Sequence, residues 1–286
     1  MVIRSNWACS KLAIKLPFTG CRFVAVYKNL LIHYTIDGNC LKISGIGPYM
    51  LVNGEVLQHQ LWSIVNLIMD RHSASHIKIT VPPSIYMEKA DEEMLLEYGK
   101  AKLLFNDPHY VIEVSDTSFT AMLPGDQKRI FKRGVSLFTS SYSQVLLKND
   151  EYDLIYQSRI SRFNPPPPSL PLLLQQYKTC PSLFNKWTAF KNSELVGCIW
   201  AFKASEKTIQ VAYMATSVDG KSPSANIFLI GKIYEWAMAN NVNYIDLGTA
   251  SIQGTVINGL AEFKKSLNAQ PYDKPTYEFH RRISVL

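Results

Sequence analysis

The alternation of apolar and polar positions is clearest in the second half of the chain. Lys186–Phe190, Val196–Lys203 and Ile209–Ala215 are rich in β-branched and aromatic residues and read as three strands. Asn192-Ser193 and Ser205-Glu206 are the turns between them, and turns that short make the three an antiparallel meander. Before the meander, Ser143–Leu147 reads as a short strand, Asp150–Phe163 as a helix capped by Asn149 or Asp150, and Leu170–Tyr177 as a second helix. The prolines at 165–168 between those helices enforce an extended stop, because each fixes φ and removes a donor. After the meander, Ser222-Pro223 starts a helix in which Ile227, Ile230, Tyr234 and Ala237 recur at helical spacing through Ala239. Tyr244–Leu247 is a buried strand, Asn258 caps a short helix carrying Leu260, Phe263 and Leu267, and a last strand spans Thr276–His280.

The first half repeats this order. Phe23–Tyr27 and Leu30–Ile36 form a hairpin around Lys28-Asn29, and Glu55–Asp70 is a helix with Leu57, Leu61, Ile64 and Ile68 on one face. Ile77–Val81 is a strand, Asp91–Leu104 a helix and Tyr110–Val114 a strand. The helices starting at 55 and 91 answer those at 223 and 258, and the strands at 77 and 110 answer those at 244 and 276. The offset is roughly 167 residues, the kind of period that marks an internal duplication. We read two copies of one α/β module, 1–140 and 141–286, joined near Phe138–Tyr142. A strand reached through a helical crossover should lie parallel to the one it left, so the strand at 244 should pair in parallel with the strand at 209. A sheet mixed in this way splays where those two strands meet and opens a cleft.

Composition narrows the functional classes. Of 286 residues, 47% are hydrophobic and 19% charged, which supports a buried core and excludes wholesale disorder. At roughly 150 residues per domain the length suits two domains. Lys and Arg number 30 against 23 Asp and Glu, a formal charge of +7 that favours anionic partners without choosing among phosphates, nucleotides and nucleic acid. No run approaches the roughly 18 uninterrupted apolar residues of a spanning helix. Residues 1–16 lack an apolar run ending in a small-residue cleavage site, so a cytoplasmic location without leader or membrane span is expected. The five cysteines, Cys9, Cys21, Cys40, Cys180 and Cys198, are odd in number and scattered, as reduced thiols are. There is no Cys-x-x-Cys and no His-x-x-x-His pair on a helical face, so no metal is expected. A Walker loop, Gly-x-x-x-x-Gly-Lys-Ser/Thr, and a Gly-x-Ser-x-Gly elbow are both missing, and Gly45-Ile-Gly47 lacks the third glycine of a dinucleotide fingerprint.

Ligands of open α/β sheets favour the carboxyl ends of strands, and two segments converge there. Thr216–Ser224 ends at a helix N-terminus, whose free amides attract anions, so Gly220, Lys221, Ser222 and Ser224 are candidates for holding a donor's phosphates. An ordinary capped loop would look the same. Asp246–Gly254 is small and polar directly after a buried strand, which makes Thr249 and Ser251 candidates beside a simple chain-reversing turn. Lys264 follows Phe263, which is expected to be buried. Lys264 would line the cleft while Lys265 faces solvent, and its ammonium would balance a phosphate or the oxyanion of an attacked acyl carbonyl. A solvated helix face is the rival reading. Asp246 and Glu262 are the carboxylates available as general bases, with core-edge and surface roles as alternatives. On a helix near the join, Lys128, Arg129, Lys132 and Arg133 form a cationic flank suited to the phosphates of a nucleotide sugar or of tRNA, or simply a solvated face.

The string Tyr244-Ile-Asp246-Leu-Gly248-Thr249, followed by Gly259-Leu-Ala-Glu-Phe263-Lys264-Lys265-Ser266-Leu267 and Tyr277-Glu278, resembles the closing segment of Fem-type proteins. These are the double-GNAT acyltransferases that include the peptidoglycan interpeptide-bridge enzymes. Ser222-Pro223, the prolines after Arg162-Phe163, Val81-Pro82-Pro83 and the basic helix at 128–133 fall where that family has similar features, and the resemblance spans residues 75–280. It implies mixed α/β sheets in two tandem GNAT-like domains, 1–140 and 141–286, with the active site in the second. It also implies transfer of an acyl or aminoacyl group to an amine of a cell-envelope glycan or peptidoglycan precursor. The donor would be acyl-CoA or aminoacyl-tRNA, the acceptor a nucleotide- or lipid-linked glycan, with tRNA as a further partner and no role for DNA. The family's Phe-Lys pair falls on Phe263 and Lys264, which would make Lys264 the group that stabilises the transition state electrostatically. Arg129, Lys132, Arg162 and Phe163 would then serve substrate binding. Three departures stand out. The Arg/Gln-x-x-Gly-x-Gly/Ala loop that cradles coenzyme A pyrophosphate is replaced by Asp219–Ser224, Asn268-Ala269 stands where relatives have Gly-Ala, and the chain has no room for a long coiled-coil arm. A double-GNAT protein that binds a ligand without turnover is the rival reading, supported by the missing pyrophosphate loop.

Overall fold

A computed structural model describes residues 2–3, 23–27, 30–43, 50–51, 56–86, 96, 101–162, 164–179, 181–217 and 224–280. The chain divides into two units, each with its own mixed sheet. The first comprises Met1–His109, Thr249–Val256 and Tyr272–Leu286, the second Tyr110–Gly248 and Ile257–Pro271.

The elements of the first unit run β1 (Val2–Ile3), β2 (Phe23–Tyr27), β3 (Leu30–Asp37), β4 (Cys40–Ile43), β5 (Met50–Leu51), β6 (Val56–Leu57), α1 (Gln58–Arg71), β7 (His76–Thr80) and β8 (Lys102–Asn106). The helix read from Glu55 therefore starts at Gln58, because Val56 and Leu57 pair with β1. β2, β3 and β4 form the antiparallel meander, and α1 carries the chain over to β7, parallel to β4. Leu41, Ile43, Ile77 and Ile79 alternate onto one sheet face and bury against Trp62, Val65 and Met69 of α1. The sheet is completed by the last strand of the chain, Pro275–His280, antiparallel to both β7 and β8. The helix expected over 91–104 fails at its end, since Lys102–Leu104 lie in β8. Most of its earlier part lies outside the described residues. Leu and Lys favour a helix locally, but backbone pairing with a distant strand decides the matter.

The second unit contains β9 (His109–Glu113), α2 (Phe119–Met122), α3 (Gly125–Leu137), β10 (Thr139–Ser143), α4 (Asn149–Ile160), α5 (Leu170–Thr179), β11 (Phe184–Lys191), β12 (Glu194–Lys203), β13 (Thr208–Thr216), α6 (Ser224–Ala239), β14 (Tyr244–Thr249), β15 (Ser251–Ile252), β16 (Thr255–Val256), α7 (Asn258–Ser266) and β17 (Gln270–Tyr272); the Pro275–His280 strand is β18. A few of these elements straddle a unit boundary or, like β15 and β16, belong to the first unit. The second sheet runs β10-β11-β12-β13-β14-β9-β17, and the first runs β2-β3-β4-β7-β18-β8. The meander and the parallel crossover through α6 are as the sequence predicts. The strand read at Ser143–Leu147 sits earlier, at β10, where Tyr142 lies opposite Trp187, with ring centroids 5.0 Å apart. From Ser143 the chain turns into the start of α4, where the Lys148 N–H donates to Glu151. Ile257, not Asn258, caps α7.

The strands that close the two sheets are exchanged. β18, read as the final strand of the second copy, completes the first sheet, and β9, read as the final strand of the first, lies in the second. The units accordingly divide at 109/110, whereas the sequence suggested 140/141. Side chains explain why α2 and α3 go with the later part of the chain. Phe119 packs on Phe131 and on Tyr234 of α6, at 5.1 and 5.4 Å between ring centroids. α3 and α6 approach closely because Gly134 and Gly231 stand at their contact. A Cβ on Gly231 would run into the Phe131 ring and come within 2.9 Å of Phe119.

On the other face of the second sheet, α4 is tied down by a buried ion pair between Glu151 and Lys186, each side chain only 5% exposed. Lys186 also donates to the Leu146 carbonyl at 3.3 Å, and Glu151 accepts the Lys148 N–H at 2.7 Å, so neither charge is left to the low-dielectric core alone. Cys198 lies buried and free nearby, and burial pushes its thiol well above the ordinary range. Among the described residues no helix is long and apolar enough to cross a membrane.

Two stability effects are expected. Gly231→Ala should cost about 1–3 kcal/mol by overpacking the α3–α6 contact, read as a lower denaturant midpoint at constant m. Lys186→Met should cost about 3–5 kcal/mol by stranding the Glu151 carboxylate, and adding Glu151→Met should recover most of that loss. A double variant no better than the single one would mean the pair is not coupled.

Candidate active site

The split in the second sheet follows from strand register. β13 and β14 pair in parallel at Thr208/Tyr244, Ile209/Ile245 and Gln210/Asp246, after which the ladder ends. β13 continues to Thr216 and β14 to Thr249. The β12–β13 register slips between Trp200 and Ala201, so that Ala212 is an extra residue in β13. A bulge at that point bends and twists its strand, which carries β13 away from β14 just beyond the last pair.

Five residues of the second unit meet at the split. Asp246 is fully buried. Its Oδ1 accepts the Gly248 N–H at 2.7 Å, and its Oδ2 accepts from Gln210 Nε2 at 3.1 Å. Gly248 has φ +75°, a left-handed conformation that bends the end of β14 and that a side chain would strain. Its carbonyl accepts from Lys264 Nζ at 2.8 Å. Lys264 comes from α7, where Ala261, Lys264 and Leu267 share the inward face and Lys265 is exposed. Phe263, expected to be the buried member of the pair, is only half-buried, and Lys264 itself is 5% exposed. Leu260 is also exposed, while Lys264 and Lys265 lie as the sequence reading placed them. The Lys264 ammonium stands 5.8 Å from the ring centre of Tyr110 on β9, a cation–π distance.

Burial lowers the Lys264 ammonium to a pKa of about 8, and the Asp246 carboxylate pulls the other way. Near neutral pH the group is therefore a cation, kept from water and held by a neutral carbonyl. Such a charge acts on a neighbouring anion far more strongly than a solvated lysine does.

The remaining sequence candidates are more scattered. Gly220, Lys221, Ser222 and Phe163 lie outside the described residues. Ser224 is the buried first residue of α6, and Thr249 ends β14 half-buried. Ser251 belongs to the first unit, where its hydroxyl donates to Asp107 at 2.6 Å beside the Gly254 N–H at 2.9 Å; that hydroxyl tightens the β15–β16 turn. Arg129 is exposed on α3 with its guanidinium 3.6 Å from Asp126, Lys132 is exposed on the same helix, and Arg162 is exposed just past α4. Sequence reasoning missed Gln210 and Tyr110. Each sits in an ordinary-looking strand, and only the parallel register of β13 and the exchanged position of β9 bring them to the split. Among the described residues no group of three or more His, Cys, Asp or Glu side chains is placed to hold a metal ion.

No protein-family model and no curated protein matches this chain. Solved structures do. The C-terminal DUF2156 domain of an Agrobacterium fabrum protein assigned as a lysylphosphatidylglycerol synthetase aligns over 93% of this chain and 86% of its own, with TM-score 0.67 at 12% identity. FemX aligns over 95% of this chain and 91% of its own, with TM-score 0.67 at 10% identity. A tandem GNAT protein from the clavulanic acid biosynthesis pathway aligns over 88% and 78%, with TM-score 0.50 at 9% identity. The chain has the Fem-like double-GNAT fold, mixed α/β in two tandem GNAT-like parts.

The depressed Lys264 pKa is also a stability statement. Between pH 8 and the ordinary lysine value of 10.5, the unfolded chain binds a proton that the folded chain has lost, so stability rises with pH across that window. The rise should reach at most about 3 kcal/mol and should be absent from Lys264→Met, as read from urea unfolding at a series of pH values.

Proposed function

We propose that this protein is an acyltransferase that moves an acyl or aminoacyl group onto an amine of a cell-envelope glycan or peptidoglycan precursor. The observation that carries the proposal is the buried Lys264 ammonium, held by the Gly248 carbonyl where β13 and β14 part. The fold shared with FemX, which bears the name of the Fem-type proteins that the sequence resembles, and with the domain of a protein assigned as a lysylphosphatidylglycerol synthetase, a name that denotes a lysyl-bearing product, supports it.

In this reading the neutral acceptor amine attacks the carbonyl carbon of the donor. The new C–N bond forms as the carbonyl π electrons move to oxygen, and the Lys264 ammonium stabilises that oxyanion. Collapse of the intermediate breaks the bond to the donor's thiol or ribose oxygen. The leaving group takes up a proton, and the ammonium formed on the acceptor loses one to solvent. Lys264 is thus an electrostatic group and not a base. Asp246 is committed to the Gly248 N–H and Gln210, and so braces the site. Phosphates of the donor or acceptor would meet the exposed cations Arg129 and Lys132 on α3. The donor is an acyl-CoA or an aminoacyl-tRNA. A protein that binds such a ligand without turnover is the second reading, favoured by the near-complete burial of Lys264.

A thermal-shift panel of acyl-CoAs, charged tRNA, UDP-amino sugars and muropeptides would identify the ligands, since binding to the native state alone raises the melting point. A tRNA donor would bind with a steep salt dependence that flattens in Arg129→Ala/Lys132→Ala. With the substrates in hand, Lys264→Ala should lower kcat by about a hundred- to a thousandfold. Wild-type activity should fall above pH 8 as the ammonium is lost, and Lys264→Arg should move that alkaline limb upward. Undiminished transfer by Lys264→Ala would refute the role, and ligand binding without product in the wild type would establish the second reading.

A further inference from the structure

We propose that Gln210 is a positioning residue, which fixes the Asp246 carboxylate against the Gly248 peptide and so sets the orientation of the Lys264 ammonium. The proposal rests on reading Lys264 as the working group of the site.

The ladder between β13 and β14 ends at Gln210/Asp246. Up to that pair, backbone hydrogen bonds hold β14 in place. Beyond it, the Asp246–Gly248 segment keeps β9 on one edge but has no paired strand on the β13 side, where side chains take over. Directly paired residues share a sheet face, so Gln210 is the last β13 side chain with a paired partner on β14. Its Nε2 donates to Asp246 Oδ2 at 3.1 Å, and the other carboxylate oxygen takes the Gly248 N–H at 2.7 Å. The carboxylate is fully buried, so both oxygens gain from a donor. The Gly248 peptide so braced offers its carbonyl to Lys264 Nζ at 2.8 Å. The chain of contacts runs Gln210, Asp246, Gly248, Lys264, and each link lies within the second unit.

Loss of the amide has a predictable electrical consequence. Asp246 is the carboxylate acting on Lys264, and it favours the charged amine. With Gln210 in place, part of its charge is spent on a neutral donor and its rotamer is fixed. Without that donor the carboxylate is held less firmly, and more of its charge acts on the ammonium.

The test titrates Lys264 in the full chain with no substrate. Competitive acetylation by acetic anhydride across pH 6–11 is followed on the Lys264 peptide by mass spectrometry, with melting curves as the control for folding. Wild type should show a midpoint near 8. Gln210→Met, similar in size but without a donor, should raise the midpoint by about one pH unit. Gln210→Asn, which keeps the amide but shortens its reach, should shift it the same way and stands in should the Met variant fail to fold. Asp246→Asn should lower the midpoint, and Gln210→Met added to it should produce no further change, because Gln210 acts through Asp246. An unchanged midpoint in both folded Gln210 variants, or the same upward shift in the Asp246→Asn background, would overturn the proposal. The titration requires no turnover, so failure of the transfer assay with these shifts intact would remove the acyltransferase reading and leave the positioning role standing.

Discussion

A buried ammonium must be compensated, and in this protein the compensation determines how the sheet is built. Lys264 sits in the second unit where β13 and β14 part, and it is held by the Gly248 carbonyl and acted on by the Asp246 carboxylate. A closed ladder would have used the Gly248 carbonyl for strand pairing. Because β13 bulges and leaves β14 after three pairs, that carbonyl is available to a side chain. Gly248 then makes the bend affordable, since its left-handed φ is one that almost any other residue would resist. The split, the glycine and the lysine are parts of one solution, and altering any of them removes the reason for the other two.

Comparison of the two sheets shows what distinguishes them. The parallel rungs correspond one to one, with Cys40/His76, Leu41/Ile77 and Lys42/Lys78 in the first sheet matching Thr208/Tyr244, Ile209/Ile245 and Gln210/Asp246 in the second. The first sheet pairs once more, at Ile43/Ile79, where the second has already parted. The offset that takes Lys42 to Gln210 and Lys78 to Asp246 takes Leu96 to Lys264. In the first unit, then, the position of the acid holds a lysine, and the position of the lysine holds a leucine packed against the apolar core. Like charges on the matching rung would expel an ammonium, and a leucine needs no carbonyl. The first copy kept the architecture without the charge arrangement, which is why the chemical reading attaches to the second copy alone.

Much of this was legible in the sequence, and the limits have physical causes. The meander, the helical crossover, the parallel strand at 244 and the parting beyond it all follow from local alternation, short turns and the handedness of connections, and all are present in the structure. Local signals failed where a distant partner decides. Lys102–Leu104 look helical until β18 pairs with them, and 110–113 look like the end of the first copy until the second sheet takes them up. The exchange of β9 and β18 also moved the unit boundary to 109/110, because nothing in a strand's composition says which of two similar sheets it joins. At the site, Lys264 and Asp246 were found from a motif and a strand end. Lys264 was placed inward and Lys265 outward, as they lie, but the burial of Leu260 and Phe263 was overestimated, since large apolar side chains are ordinarily the inward ones. Gln210 and Tyr110 gave no signal, because their significance lies wholly in register.

The structural likeness at 9–12% identity is consistent with this division of labour. What the fold requires is mostly backbone: a meander, a crossover, a bulge at the parting and a strand of suitable length from elsewhere in the chain. Many apolar side chains satisfy those needs, so sequences drift while the architecture persists. The site requires specific atoms at specific points, and here they number few: one ammonium, one glycine peptide and one carboxylate with its donor. Likeness of fold therefore says little about what chemistry the protein performs, and the case for acyl transfer must rest on those atoms. Acyl transfer suits so small a set, because the reacting groups bring their own nucleophile and leaving group and ask the protein chiefly for orientation and for a positive charge where the oxyanion forms.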